Sequence, residues 1–402
     1  DFLNTQGFVS AEQRDTAGNI ALGNYGTLDF GDSVTLSNFN FLISNTADLS
    51  NPLGGALVVY GSTNNNKNQG ANFKATTMTL EDTLRDAANT AVDLPSTTLH
   101  ADNLNLHYDG VEAVKEFDGN FGFTDAIVGK NLDVTYKGGD NNLKLANSFE
   151  LKAYTPSTTV NNQTVHAVAQ DGTITGNDFV LVKDSNHTGS ISVENGHWTA
   201  TPNITLTSGT SINVGLNLDD NDGSVTNNTT DSSLALNGGL TFDLASGDSS
   251  VKASGLTSYN PLLEDREAKE YSAQLDLTGG LDVINGNSNH SGSITAESGG
   301  VVTLNASDVN AILGTDNQTA TSLTNLALLA TTNGAIQAVN GNVSANFNDF
   351  ASGASAAKGQ VNLSNGGAFI TDNLTLTGKS DATAGESNTT LDIGTGAIYA
   401  NS

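Results

Sequence analysis

The chain has 402 residues, with 15 Lys and Arg against 43 Asp and Glu, a formal net charge of −28 at pH 7. A surface of that sign repels phosphate backbones and anionic headgroups, which excludes nucleic acid and lipid surfaces as expected partners. Charged residues are only 14% and there is no cysteine, so the polarity rests on Asn, Thr, Ser, Asp and Gly, and no disulfide staples the fold. Apolar residues make up 37% and alternate with polar ones, the pattern of a folded β protein rather than a disordered chain. No apolar run is long enough to cross a bilayer, so no membrane insertion of this segment is expected. Asp1 reads as a processed or excised terminus.

In chain order, Gly26-Thr-Leu28-Asp-Phe30 and Val34-Thr-Leu36 alternate with period two and break at Gly31. Thr79 to Val92 is the best helix candidate: Thr79 can cap, Asp82 follows three residues on, Leu80, Leu84, Ala87, Ala88 and Ala91 mark one face, and Pro95 stops it. Strand triplets return at Leu104-Asn-Leu106, Leu132-Asp-Val134 and Leu143-Lys-Leu145. The turns Asp109-Gly110, Asp118-Gly119 and Lys137 to Asp140 suit hairpins. Five of the basic residues cluster here (Lys115, Lys130, Lys137, Lys144, Lys152), which marks this part as one that differs in topology or binds something.

From Ile174 the repetitive part builds up. Leu234-Ala-Leu-Asn-Gly-Gly-Leu240, Leu275-Asp-Leu-Thr-Gly-Gly-Leu281 and Val361-Asn-Leu-Ser-Asn-Gly-Gly367 each set alternating residues before a glycine pair, strand and then a tight turn with positive φ. Leu234 to Leu275 is 41 residues, other triplets fall irregularly at spacings near 10 or 20, and a solenoid rung of about 20 residues is expected. Pro261 to Glu270 reads as a charged loop with a short helix, and a second small helix is expected over Ser307 to Leu313, capped at Ser307-Asp308. No Lys or Arg occurs between Lys183 and Lys252 or between Lys269 and Lys358. Three regions follow: 1–98, β with one short helix; 99–170, β with the Lys cluster; 171–402, solenoid-like. The expected fold is all-β, a right-handed parallel β-helix with short helical or loop decorations; the alternative is a set of antiparallel β-sandwich domains.

The strings Ser233-Leu-Ala-Leu-Asn-Gly-Gly-Leu-Thr-Phe242, Ser293-Ile-Thr-Ala-Glu-Ser-Gly-Gly-Val-Val-Thr-Leu304 and Asn373-Leu-Thr-Leu-Thr-Gly378 resemble, over residues 170–402, the passenger regions of bacterial autotransporter adhesins. The resemblance implies a right-handed parallel β-helix at the bacterial cell surface, with roles in self-association, adhesion and biofilm formation. It is one of style rather than of a diagnostic motif. The family's C-terminal membrane β-barrel has no counterpart in this sequence.

The chemical signatures in the chain are fragments. Gly31-Asp32-Ser33 and Gly247-Asp248-Ser249 echo a nucleophile loop, but Val34 and Ser250 stand where the second glycine is needed, and no His precedes Ser33. Asp219, Asp220 and Asp222 form the densest acidic cluster and are the candidate metal ligands, for calcium; an EF-hand would need acids where Leu218 and Thr229 stand. Gly138-Gly139-Asp140 is one fragment of a calcium nonapeptide without tandem copies, and Gly378-Lys379-Ser380 is half a phosphate loop with Asn373 in the first glycine position. His100 and His107 would meet if they lay on adjacent strands. The lone Trp198, beside His197, is either a sugar-stacking ring or core.

These readings converge on a non-enzymatic extracellular protein, secreted or on the bacterial surface: an adhesin or self-associating structural protein mediating cell–cell or cell–surface contact. The alternatives are a surface-layer or filament subunit assembling by strand addition, and a carbohydrate-active β-helix or phage tail fibre. Expected partners are a second copy, a host or cell-surface protein, or a glycan, with no cofactor unless calcium.

Overall fold

The structure, a computed structural model, describes residues 20–22, 27–37, 40–44, 56–60, 72–81, 98–108, 118–119, 125–136, 143–152, 158–160, 163–165, 171–183, 188–194, 196–215, 232–255, 273–286, 289–313, 322–346, 360–377, 390–392 and 394–400. The chain divides into two compact units, 1–191 and 192–402. Strands dominate both, and within each the long-range pairing is almost entirely parallel.

In the second unit the strands recur in three columns. The first holds Gly196–Ala200, Ser232–Leu236, Ala273–Asp276, Val301–Asn305, Ala335–Asn346, Ala368–Thr377 and Ala397–Ala400, each paired in parallel with the next. The second holds Ser211–Gly215, Ser249–Ser254, Gly292–Glu297, Leu326–Thr331, Gln360–Ser364 and Thr390–Asp392. The third holds Ile204–Leu206, Leu240–Asp243 and Leu281–Ile284. As far as Gly292–Glu297 the chain visits the first, third and second columns in turn, and from Val301 its described strands alternate between the first and second, so neighbours in a column belong to successive rungs.

Period-two alternation puts one face of every strand inside. Parallel register then stacks like on like: Trp198, Leu234, Leu275, Val302, Ile336 and Phe369 form one buried row, and Ile212, Val251, Ile294, Leu328 and Val361 another. Each such side chain contributes roughly 1.5–3 kcal/mol by leaving water. Leu234 and Leu275 are direct neighbours, so their offset of 41 residues is one rung, and from Leu275 to Val302 it is 27. The expected rung of about 20 is approached in the first unit, where Asp125 and Ser148 pair 23 residues apart, while longer loops between columns lengthen the rungs of the second unit.

The glycine pairs at the corners have two separate causes. Asn365 (φ 48°) and Gly366 (φ 80°) turn the chain through the left-handed region. Gly367 is required by stacking: a Cβ there would sit 2.0 Å from the Ala330 carbonyl oxygen of the rung before.

The expected small helix is present as Ala306–Leu313, burying Ala306, Val309, Ile312 and Leu313. It starts one residue before the expected cap. The preceding residue is Asn305, whose side chain is held across the stack: its Nδ2 donates to the Thr278 carbonyl (3.0 Å) and its Oδ1 accepts from Asn340 Nδ2 (2.9 Å).

In the first unit, Thr27–Asp29 and Ser33–Ser37 both pair with Asn72–Glu81, followed by Thr98–Tyr108 and Asp125–Tyr136. Ser148–Leu151 then pairs with the first half of Asp125–Tyr136, and Gly172–Gly176 with its second half. A register shift between Ala101 and Asn103 marks a corner inside the long strands. Smaller parallel sets join Ile20–Leu22 and Asn40–Ser44 to Ala56–Tyr60, and Asp118–Gly119 and Phe179–Leu181 to Leu143–Leu145.

Three expectations are corrected here. Thr79 does not cap a helix: Thr79, Leu80 and Glu81 end a strand in which Met78 and Leu80 are buried, because pairing on both edges outweighs the helical signals of an isolated segment. Residues 82–92 lie outside the described residues. Asp118-Gly119 is not a hairpin turn but itself a strand, paired in parallel with Leu143–Leu145; Asp109-Gly110 and Lys137 to Asp140 lie outside the described residues. The antiparallel sandwich fails in the columns; among the described residues, antiparallel pairing is confined to Thr158–Val160 with Gln163–Val165. Pro261 to Glu270 lies outside the described residues.

Candidate functional surface

A built polar arrangement with partial exposure lies on the outward face of the first unit. Beyond the corner, parallel register aligns Ser33, Thr77, Asn103, Asn131 and Thr173 in one row and Thr35, Thr79, Asn105, Asp133 and Thr175 in the next. The inward residues between them (Met78, Leu104, Leu132, Ile174) are fully buried, which holds the face in place from below. Strands about 4.8 Å apart and side chains two residues apart give a regular grid of hydroxyls, carboxamides and one carboxylate.

Neighbours in the grid bond to each other. Asn103 and Asn105 donate from Nδ2 to the hydroxyls of Thr77 (3.2 Å) and Thr79 (3.1 Å). Thr173 donates to Asn131 Oδ1 (2.9 Å). Asp133 is the hub: it accepts from Thr175 (2.6 Å), from Thr135 (3.0 Å) and from His107 Nε2 (2.9 Å). An ionised carboxylate only accepts, so the His107 proton on this contact sits on Nε2. Burial alone would raise the Asp133 pKa, but the hydrogen bonds from Thr175, His107 and Thr135 outweigh it and hold the carboxyl below its ordinary value.

Two of the carboxylates here have partners: Asp102 Oδ2 lies 2.9 Å from Lys130 Nζ at the corner, and Asp133 is held by its three hydrogen-bond donors. Among the described residues, Oδ1 of Asn103 and of Asn105 accepts no hydrogen bond, and each amide keeps an unspent N–H. The grid therefore offers both donors and acceptors to whatever lies against it.

The sequence candidates fall elsewhere. Asp219, Asp220 and Asp222 lie outside the described residues, as do Gly138 to Asp140 and Gly378 to Ser380; no group of three or more His, Cys, Asp or Glu placed to hold a metal occurs among the described residues. Ser33 is exposed on a strand. Ser249 is buried with no partner on its hydroxyl, while His290 reaches towards Asp248 at 3.9 Å, so no base meets this nucleophile. His100 and His107 do not meet: they share the strand Thr98–Tyr108, separated by about 23 Å of extended chain. Burial pushes the His100 pKa down to about 4, with Lys152 and Lys74 adding to the fall against Glu150.

Trp198 is core, 1% exposed, and His197 beside it points outward, its Nδ1 2.7 Å from the Ser233 hydroxyl. The Lys cluster does not form a basic patch in the described residues: Lys130 pairs with Asp102 and Lys152 with Glu150 (2.8 Å), while Lys115 and Lys137 lie outside them.

The apolar triplets of the sequence do not mark the polar grid. Its signal is the complementary set, Thr77-x-Thr79, Asn103-x-Asn105, Asn131-x-Asp133 and Thr173-x-Thr175, each bracketing a buried Met, Leu or Ile. No helix is long and apolar enough to cross a membrane among the described residues. No protein-family model, curated protein or solved structure matches the chain.

Proposed function

We propose that the chain is an extracellular adhesin or self-associating structural protein of a bacterial surface, its rungs wound as a right-handed parallel β-helix. The handedness is supported by the strong right-handed preference of crossovers between parallel strands of one sheet. The observation that carries the function is the polar grid of the first unit. In a chain of net charge −28 identical molecules repel, and this reading is supported by a face whose two rows carry one carboxylate among hydroxyls and carboxamides, with Asp102 at the corner paired to Lys130. Many individually weak hydrogen bonds, repeated along a fixed spacing, sum to avidity when cells carry many copies.

Display of the chain on non-aggregating bacterial cells tests the reading. Cells carrying it are expected to clump and settle, and to disperse when Asn103 and Asn105 are both replaced by Glu, which places uncompensated charge in the grid. Cells that stay dispersed with the unaltered chain on their surface refute it.

A further inference from the structure

The strand Ala335–Asn346 is longer than its neighbour on one side. Its first half pairs with Val301–Asn305, and both halves pair with Ala368–Thr377 on the other side. Beyond Asn305 the chain leaves the sheet for the helix Ala306–Leu313, so among the described residues Asn342 to Asn346 has a strand on one edge only. A bare edge of this kind presents alternate N–H and C=O groups to any other strand.

The helix meets that edge through one side chain. Asn310 Nδ2 donates to the Asn342 carbonyl (2.9 Å), and Asn310 Oδ1 accepts from the Ser344 amide (2.8 Å). In a parallel ladder, a residue opposite Val343 would donate its N–H to the carbonyl before Val343 and accept from the N–H after it. The Asn310 carboxamide makes the same two bonds, with the same polarity, from a helix. Val309, Ile312 and Leu313, all buried, press the helix onto the core and fix the carboxamide in place. Helices seldom favour Asn in their interior, since its side chain competes for backbone groups; here that competition is directed at another segment's backbone.

We propose that the helix Ala306–Leu313 is an edge guard: with the Asn310 carboxamide on the Asn342 carbonyl and the Ser344 amide, it occupies the place of a parallel strand and keeps this edge from pairing with a strand of a second copy. The inference stands apart from the adhesin reading. It separates two modes of assembly, contact between outward faces and addition of strands at an edge, and it closes the second at this position.

Two variants test it. Asn310→Ala removes both hydrogen bonds and leaves the apolar face of the helix intact. Amide exchange at Ser344 is expected to speed up about tenfold, the scale of one lost hydrogen bond. Val343 and Ala345 are expected to stay protected, since their N–H groups point to the Ala368–Thr377 strand. Ile312→Asp lifts the helix from the core, and the purified chain is expected to form larger species than the unaltered chain at equal concentration, read by size-exclusion chromatography with light scattering. Adding Ser344→Pro, which deletes the edge donor and is tolerated on an edge, is expected to abolish that shift. Unchanged exchange at Ser344 in Asn310→Ala overturns the proposal. So does an Ile312→Asp chain that keeps its β-sheet circular dichroism without enlarging, or one that enlarges equally with Ser344→Pro. If Ile312→Asp loses its sheet signal, the exchange measurement on Asn310→Ala decides alone.

Discussion

Replacing Gly367 by Ala tests whether the glycine pairs are demanded by rung stacking rather than by turn conformation. The added Cβ would lie 2.0 Å from the Ala330 carbonyl oxygen, 2.4 Å from its carbon and 2.9 Å from the Thr331 nitrogen. All three are backbone atoms, so no side chain can swing aside, and reaching ordinary contact requires the rung to move by about 1 Å. Three hydrogen bonds meet at this corner: Gly367 N–H to Ser364 O (2.8 Å), Ala368 N–H to Gly334 O (2.9 Å) and Ala397 N–H to Gly367 O (3.0 Å). A shift of that size spoils their geometry at about 1 kcal/mol each, which puts the cost at about 3 kcal/mol before any disturbance of Phe369.

Gly31 is the control. Its φ is +77° and an added Cβ meets nothing within 4 Å, so Gly31→Ala carries only the left-handed penalty of roughly 1–2 kcal/mol. Stacked rungs need not unfold in one step, so the assay pairs a urea titration followed by circular dichroism with amide exchange at Ala368 and Phe369. A Gly367→Ala chain no less stable than Gly31→Ala, with unchanged exchange at Ala368, would refute the stacking argument.

Two further outcomes follow from buried groups. Trp198→Ala should cost roughly 3–5 kcal/mol in urea denaturation, while Trp198→Phe should be nearly neutral, because the indole Nε1 it removes is buried without a hydrogen-bond partner. His100 has its folded pKa depressed from 6.5 to about 4, chiefly by burial. A depressed base binds fewer protons folded than unfolded, so stability is full above the unfolded pKa of 6.5 and falls as the pH drops towards about 4. His100→Phe should flatten that part of a stability-against-pH curve, and an unchanged slope would exclude His100 as its source.

The fold was more legible in the sequence than the surface was. Strand, turn and stacking requirements are local: Leu234-Ala-Leu and Gly238-Gly239 reveal alternation and corner within a few residues, and the 41-residue offset to Leu275 proved to be a rung. The rung length was obscured because loops between columns vary, and an unequal insertion shifts spacing without disturbing register. The expected helix start at Thr79 to Glu81 misled for a related reason. A polar residue before a run of Leu and Ala is helical by local rules, but Leu80 has Leu36 and Leu106 beside it in the folded chain, and that pairing is invisible locally. The polar grid was illegible because Thr, Asn and Asp on outward positions carry no catalytic spacing; their meaning comes from neighbours 26 to 44 residues away.

The same physics bears on how copies of this chain can meet. A parallel stack exposes two kinds of surface, the outward side chains of its columns and the backbone edges where a column stops. At the Asn342–Asn346 edge, the Asn310 carboxamide satisfies the Asn342 carbonyl and the Ser344 amide, two of the groups that would template another strand. On the outward face of the first unit, Asn103 and Asn105 bond to their neighbours through only part of their capacity, and Asp133 has its charge held by three donors. An uncompensated carboxylate array there would add repulsion to the net charge of −28, and an apolar array would drive indiscriminate association. A grid of hydroxyls and carboxamides with one carboxylate held by three donors is neither. If copies of this chain meet through it as proposed, the contact would depend on many copies held in register, as dense display on two apposed surfaces would provide.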